Sequence, residues 1–349
     1  MQIDFGAGDD ISFTKEGRAG IIKLTRPSTL NALNQRMVCA LKKALSTWEK
    51  DSDISCILIE GEGRAFCAGG DVVEIYHMGQ SSSSYQYFSD EYRLNAYISR
   101  FPKPYISFLN GIWMGGGVGI SIYGSHRIVT ENTLFSMPEG AIGFFTDVGS
   151  SFFLPSLPDY FGIYLALTGA RIKWGDCLRL GLATHAVPEA KLNIVRKTII
   201  EQGNPTLALR EQTITKDYET SQEIRHFIRT CFSTHTLEEC IDFLYKKSNE
   251  GFLFAKECYD ILQLRSPTSL KIIWKQMKQN PSSQILEDYI RIENRIAHHM
   301  INSHDFREGV RAMLIDKDKT PKWQPNKLSD VTDEMIDSYF QLVERELFF

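Results

Sequence analysis

Within residues 110–153 the chain carries a run of glycines, Gly115-Gly116-Gly117-Val118-Gly119, and then two carboxylates, Glu139 and Asp147, among apolar neighbours that include Met137, Phe144 and Phe145. Adjacent glycines let backbone come close to a ligand and bare N–H groups that larger side chains would shield, which is what a developing oxyanion needs. A helix opening on that run would add the positive end of its dipole. Carboxylates held beside apolar groups can act as nucleophile, base or acid. A plainer structure is also open to these residues: glycines in a tight turn, Glu139 starting a helix after Pro138, and Asp147 as an N-cap.

The surrounding pattern says what must hold these groups. Residues 20–24 and 55–60 read as strands, and between them Met37, Leu41, Ala44, Leu45 and Trp48 recur at helical spacing behind a candidate N-cap, Asn34. A strand over 105–109 feeds the glycine run, residues 117–123 continue as a helix, and 126–130 return as a strand. This alternation argues for an α/β core. The serines of 79–84 read as a mobile loop before a helix over about 85–100. Beyond about Leu192 strand signals fade, and 222–230, 237–247, 269–278, 285–300 and 306–314 read as helices, with Ser266-Pro267 supplying a cap and a first-turn proline. The expected division is an α/β region over 1–190, holding the site, and a helical region over 191–349.

Composition narrows the class. With 349 residues, 43% hydrophobic and 23% charged, the chain can bury a large core, and a net charge of −4 gives no electrostatic case for nucleic acid as a partner. The seven cysteines form no CxxC pair and are odd in number, which predicts buried, reduced thiols and neither a disulfide framework nor a zinc site. His298, His299 and His304 lack a metal-binding carboxylate pattern and read as helix or surface residues, so no metal is expected. The first residues, MQIDFGAGDDISF, resemble neither a signal nor a transit peptide. No apolar run approaches the roughly 20 residues that span a bilayer, so no membrane role is expected. A reducing, aqueous compartment follows, either a bacterial cytoplasm or a mitochondrial matrix if a transit peptide has been removed.

Three motifs in one order carry a family resemblance: Gly63-Arg-Ala-Phe-Cys-Ala-Gly-Gly-Asp71, Lys103-Pro-Tyr, and Asn110-Gly-Ile-Trp-Met-Gly-Gly-Gly-Val-Gly119. They resemble the crotonase, or enoyl-CoA hydratase/isomerase, superfamily. The resemblance implies a crotonase-like ββα superhelix core with a helical C-terminal region, and an acyl-CoA substrate whose thioester oxygen is polarised by two backbone amides. By motif these amides belong to Gly70 and Gly116. It also implies that Arg64, Ala65, Phe66, Ala68 and Gly70 line the CoA site. CoA is then part of the substrate, and no separate cofactor is expected. Trimers are common in the superfamily but vary in its hydrolase branch, and no pattern in the chain decides between a monomer and a homo-oligomer.

The closer resemblance is to the 3-hydroxyisobutyryl-CoA hydrolases of that superfamily. It runs through Glu91-Tyr-Arg-Leu-Asn95, Met137-Pro-Glu-Gly-Ala-Ile-Gly143, Asp147-Val-Gly149, Ser266-Pro-Thr-Ser-Leu270, His304-Asp-Phe-Arg-Glu-Gly-Val-Arg311, Asp316-Lys317 and Pro321-Lys-Trp323, covering nearly the whole chain. It implies that Glu91, Gly116, Glu139 and Asp147 contact substrate or take part in catalysis. The chain departs from it at Thr146, where those hydrolases carry proline, and at Ser150-Ser151, where they carry glycines.

Hydratases of the superfamily set two glutamates around the enoyl group, and by position these would be residues 119 and 139. Here the first is Gly119 and only Glu139 remains. Concerted addition of water would lack half of its acid/base pair, a loss of about 10²- to 10⁴-fold. Thioester hydrolysis needs an oxyanion hole, a carboxylate that attacks or activates water, and a group that manages protons. Glu139 suits the second role. Asp147 could orient it, contact a substrate hydroxyl or share a proton. The expectation is an acyl-CoA thioesterase acting on 3-hydroxyisobutyryl-CoA, with 3-hydroxypropionyl-CoA as a further substrate; the rivals are a one-glutamate hydratase or isomerase and a silent CoA-binding subunit.

Overall fold

A computed structural model of the chain describes residues 2–79, 82–279 and 285–349. The chain folds into two compact units, each assembled from three segments: 1–71, 90–135 and 171–219 in the first, and 72–89, 136–170 and 220–349 in the second.

The first unit is built on strands β1 (Gln2–Ile3), β2 (Ile11–Glu16), β3 (Ala19–Leu24), β4 (Cys56–Gly61), β5 (Ala65–Cys67), β6 (Tyr105–Leu109), β7 (Ile112–Met114), β8 (His126–Val129), β9 (Leu134–Ser136, whose last residue belongs to the second unit) and β10 (His185–Ala186). Seven of them form one sheet in the order β1-β2-β3-β4-β6-β8-β10, and three form a second, β5-β7-β9. The β1-β2-β3 edge is antiparallel and every later pairing in the large sheet is parallel. Successive pairs β4-β5, β6-β7 and β8-β9 each give one strand to either sheet, which is the ββα winding that the family resemblance implies.

Parallel strands covered on both faces need apolar residues at nearly every position, and β3, β4 and β6 have them. On one face Ile21, Leu58, Ile106, Phe108 and Ile128 pack with Val195 and Ile199 of the helix Glu189–Gln202. On the other, Gly20 leaves room for the ring of Trp48, from the helix Gln35–Glu49. Asn34 caps that helix by accepting from the Met37 amide at 3.0 Å, as its place in the sequence predicts.

The second unit is helical. The helices Gln222–Phe232, Leu237–Asn249, Pro267–Lys278, Leu286–Met300 and His304–Val310 extend the predicted segments by a few residues or shift them slightly. Ser266 accepts from the Ser269 amide at 3.1 Å and Pro267 opens the helix. The predicted helix over 306–314 instead runs from His304 to Val310 and then widens into a π-helical turn, Arg311–Ile315.

Three expectations need correction. The helix expected over 117–123 is only the turn Gly116–Gly119, because glycines bring little helix propensity to sustain it. The serine loop expected over 79–84 is helical from Ser82, within the helix Ser82–Ser99, while Gln80 and Ser81 lie outside the described residues. Cys39 is exposed, whereas the other six cysteines are buried thiols. Among the described residues no group of three or more His, Cys, Asp or Glu could hold a metal ion, and no helix is long and apolar enough to cross a membrane.

Candidate active site

In the first unit, β5 runs into the segment Ala68-Gly69-Gly70. The Leu33 amide donates to the Gly69 oxygen at 2.9 Å and the Asp71 amide to the Leu33 oxygen at 2.8 Å, a one-residue parallel bridge between Leu33 and Gly70. In such a bridge the amide of the central residue faces away from the partner. Gly69 sits at φ +126°, a conformation that L side chains rarely adopt. Asp71 is held by Arg26 at 3.0 Å.

Gly115 turns the chain out of β7 at φ 50° and ψ −125°, so that Gly116 begins a helical turn. Gly116 lies against both Gly70 and Glu91: a methyl carbon added to it would overlap Glu91 Oε1 and stand 3.1 Å from the Gly70 nitrogen. Among the described residues neither the Gly70 nor the Gly116 amide donates a hydrogen bond. Two neighbouring amides without an internal acceptor are costly unless an oxygen from outside takes them. Glu91, from the helix Ser82–Ser99, is only 2% exposed, so it is not a solvated helix residue.

The segment expected to meet CoA is uneven. Phe66 is fully buried, and the Ala65 oxygen accepts from Asn31 Nδ2 at 2.8 Å. Arg64 is exposed and Ala68 half-buried. The ring of Phe66 therefore belongs to the core, and the segment can offer a ligand backbone groups and the Arg64 side chain.

In the second unit, Glu139 opens a 3₁₀ turn, Glu139–Ile142, whose carbonyl at Glu139 takes the amides of Gly143 and Phe144. Gly143 closes the turn at φ +67°, where a methyl group would overlap the Asp305 carbonyl. Glu139 is 9% exposed and Asp147 5%. Between them Phe144 packs on Phe145, Phe306 and Phe88, with ring centres 4.7, 5.2 and 5.3 Å away. Asp147 is not an N-cap: the helix Ser150–Phe153 has Gly149 in that place, without a side-chain cap. Asp147 instead precedes a left-handed pair, Val148 at φ 55° and Gly149 at φ 80°. A β-branched residue in that region is strained by roughly 1–3 kcal/mol and stays there only if its surroundings hold it.

Glu293 is fully buried on the helix Leu286–Met300, and its carboxylate faces this turn. It accepts from the Gly149 amide at 2.5 Å, the Ser151 amide at 3.0 Å, Ser151 Oγ at 2.6 Å and Gln276 Nε2 at 3.1 Å. Burial pushes the Glu293 carboxyl up to about 8 and the charge of Asp147 adds to that, while the Ser151 and Gly149 donors pull the other way. Nothing in the sequence around residue 293 marks it, because its partners lie on distant segments.

A carboxyl that binds its proton more tightly folded than unfolded stabilises the fold below its ordinary range, and that contribution is lost as pH rises through the folded value. Glu293 therefore contributes a fall in stability of up to about 1.4 kcal/mol per pH unit between its ordinary value of 4.5 and about 8. Urea unfolding midpoints across that window are expected to decline with pH, and Glu293→Gln is expected to flatten the decline. An unchanged slope in the variant would show that Glu293 titrates alike in both states.

The family model described as Enoyl-CoA hydratase/isomerase matches residues 19–340. A zebrafish (Danio rerio) protein named 3-hydroxyisobutyryl-CoA hydrolase, mitochondrial, is 40% identical, covering 98% of this chain and 92% of its own. An Arabidopsis thaliana protein named 3-hydroxyisobutyryl-CoA hydrolase 1 is 38% identical over 99% and 95%. Among solved structures, one titled a carnitinyl-CoA dehydratase from Mycobacterium thermoresistibile superimposes with a TM-score of 0.92 at 36% identity, over 98% of this chain and 99% of the other. Another, titled an enoyl-CoA hydratase from Rhodobacter sphaeroides, gives 0.85 at 33% identity, over 97% and 100%.

Proposed function

Because the chain belongs to the enoyl-CoA hydratase/isomerase family, we propose that it hydrolyses 3-hydroxyisobutyryl-CoA to the free hydroxy acid and CoA, a step of valine breakdown, and that it also accepts 3-hydroxypropionyl-CoA. The observation that carries this reading is Gly119, which stands where a hydratase needs its first glutamate while Glu139 is kept. The names of the sequence relatives favour hydrolysis too. The titles of the two solved structures name hydration chemistry, which the missing glutamate disfavours. For a eukaryotic source the zebrafish relative's name favours a mitochondrial location, and the matrix is the compartment proposed.

In this proposal the Gly70 and Gly116 amides take the thioester oxygen as charge builds on it. Preset donors of this kind contribute about 3–4 kcal/mol apiece when they stay dry. Glu139 either attacks the acyl carbon, giving a mixed anhydride that water then hydrolyses to the free acid and the regenerated carboxylate, or takes a proton from the water that itself attacks. In both routes the C–S bond breaks, the electron pair leaves on the CoA sulfur, and a proton supplied in the end by that water makes the thiol. Asp147 orients Glu139 or the substrate hydroxyl, and Glu91 lies against the oxyanion hole at Gly116. Arg64 and the backbone of residues 65–70 meet the CoA moiety.

The test is release of free thiol from 3-hydroxyisobutyryl-CoA, followed beside hydration of crotonyl-CoA. Thiol release without hydration is the expected result. Hydration without thiol release would return the chain to the hydratases, and neither activity with retained CoA binding would make it a silent subunit.

A further inference from the structure

We propose that Glu293 is a positioning residue for the reaction: it clamps the turn after Asp147 and so fixes where that carboxylate stands. This rests on the functional reading of Asp147 given above and adds to it a residue far away in sequence.

The turn cannot hold its shape by local preference. Val148 and Gly149 are both left-handed, and only glycine takes that conformation readily. The Ser150 amide donates to the Asp147 oxygen at 3.0 Å, which closes the turn but leaves the amides on either side of it, those of Gly149 and Ser151, to find acceptors elsewhere. Glu293 supplies them: one carboxylate oxygen takes the Gly149 amide, and the other takes both the amide and the hydroxyl of Ser151.

Gln276, on the helix Pro267–Lys278, joins the same network. Its Nε2 donates to the Thr146 oxygen at 2.8 Å and to Glu293 Oε1 at 3.1 Å. Asp147 is thus bracketed, its predecessor tied through Gln276 and its second and fourth successors tied to Glu293. Every one of these groups is buried, where water cannot replace a lost bond.

A carboxyl group buried where, among the described residues, no cation pairs with it is an expensive group to keep for packing alone, whether it holds its proton or not. Gln at 293 would keep the volume but would turn an N–H₂ toward one of the donors, so at least one tie is lost in either flip. The consequence expected at Asp147 is a small displacement, and catalytic groups displaced by about an ångström lose on the order of 10²-fold.

The experiment compares Glu293→Gln, Asp147→Asn and the double variant of the full chain, using thiol release from 3-hydroxyisobutyryl-CoA with kcat and KM determined separately. Thermal melting of each variant measures how much is folded. Glu293→Gln is expected to lower kcat/KM by about 10- to 100-fold, with the change in the same parameter, kcat or KM, that Asp147→Asn alters. The double variant is expected to be no worse than Asp147→Asn, since a misplaced group and an absent one cost the same step. Losses that multiply in the double variant, or wild-type kinetics in Glu293→Gln beside an impaired Asp147→Asn, would overturn the inference and leave the role of Asp147 standing. A fully active Asp147→Asn would overturn the functional reading, and the inference with it. If Glu293→Gln does not fold, Ser151→Ala replaces it: that variant removes one tie, and the same non-additive pattern with a smaller loss is expected, while an additive loss would overturn the inference.

Discussion

Glu139→Gln is expected to lower kcat for thioester hydrolysis by about 10²- to 10⁴-fold, the range for loss of a positioned acid or base. The amide is nearly isosteric, and what anchors the turn at this position is the backbone carbonyl of Glu139, which the substitution does not touch. The melting temperature and the affinity for CoA thioesters are therefore expected to change little, so that the loss falls on kcat. A variant that retains most of its turnover would remove Glu139 from the chemistry, whatever its effect on stability.

Gly116→Ala is expected to cost nearly as much, about 10²- to 10³-fold in kcat/KM, the scale seen when one oxyanion donor is lost. The added methyl overlaps Glu91 Oε1 and presses on the Gly70 nitrogen. Something must shift, and both amides and the carboxylate lie within reach of the shift. An acyl-CoA thioether, which has no carbonyl oxygen beside the sulfur, separates the two causes of failure. Its affinity is expected to survive the substitution, because the oxyanion hole plays no part in holding it. If thioether binding falls in step with turnover, Gly116 serves the general shape of the CoA site and not the oxyanion.

How much of this was legible in the residues differs from element to element. The helix Gln35–Glu49 was, since Met37, Leu41, Ala44, Leu45 and Trp48 recur along it at helical spacing behind Asn34, which caps it. So were β3, β4 and β6, whose apolar runs are long enough to read. The short strands β5, β7 and β9 have three residues each, too few to establish a period. Glycine at 116–119 misled in the other direction: an apolar run continuing to Tyr123 suggested a longer helix than glycine-rich backbone sustains. Nothing in the residues around Glu91 shows that it is buried, since that depends on what packs on it.

The residues by themselves therefore determined the family and the ββα winding, and made Gly70, Gly116, Glu139 and Asp147 the candidates proposed for the site, because those depend on local chain geometry and on motifs that recur in order. What only the tertiary structure decided was how each group is held. The closeness of Gly116 to both Gly70 and Glu91, and the clamp of Glu293 and Gln276 on the Asp147 turn, join segments far apart in the chain. A buried hydrogen bond is satisfied by whichever donor the fold brings within about 3 Å, and sequence distance imposes no limit on that choice.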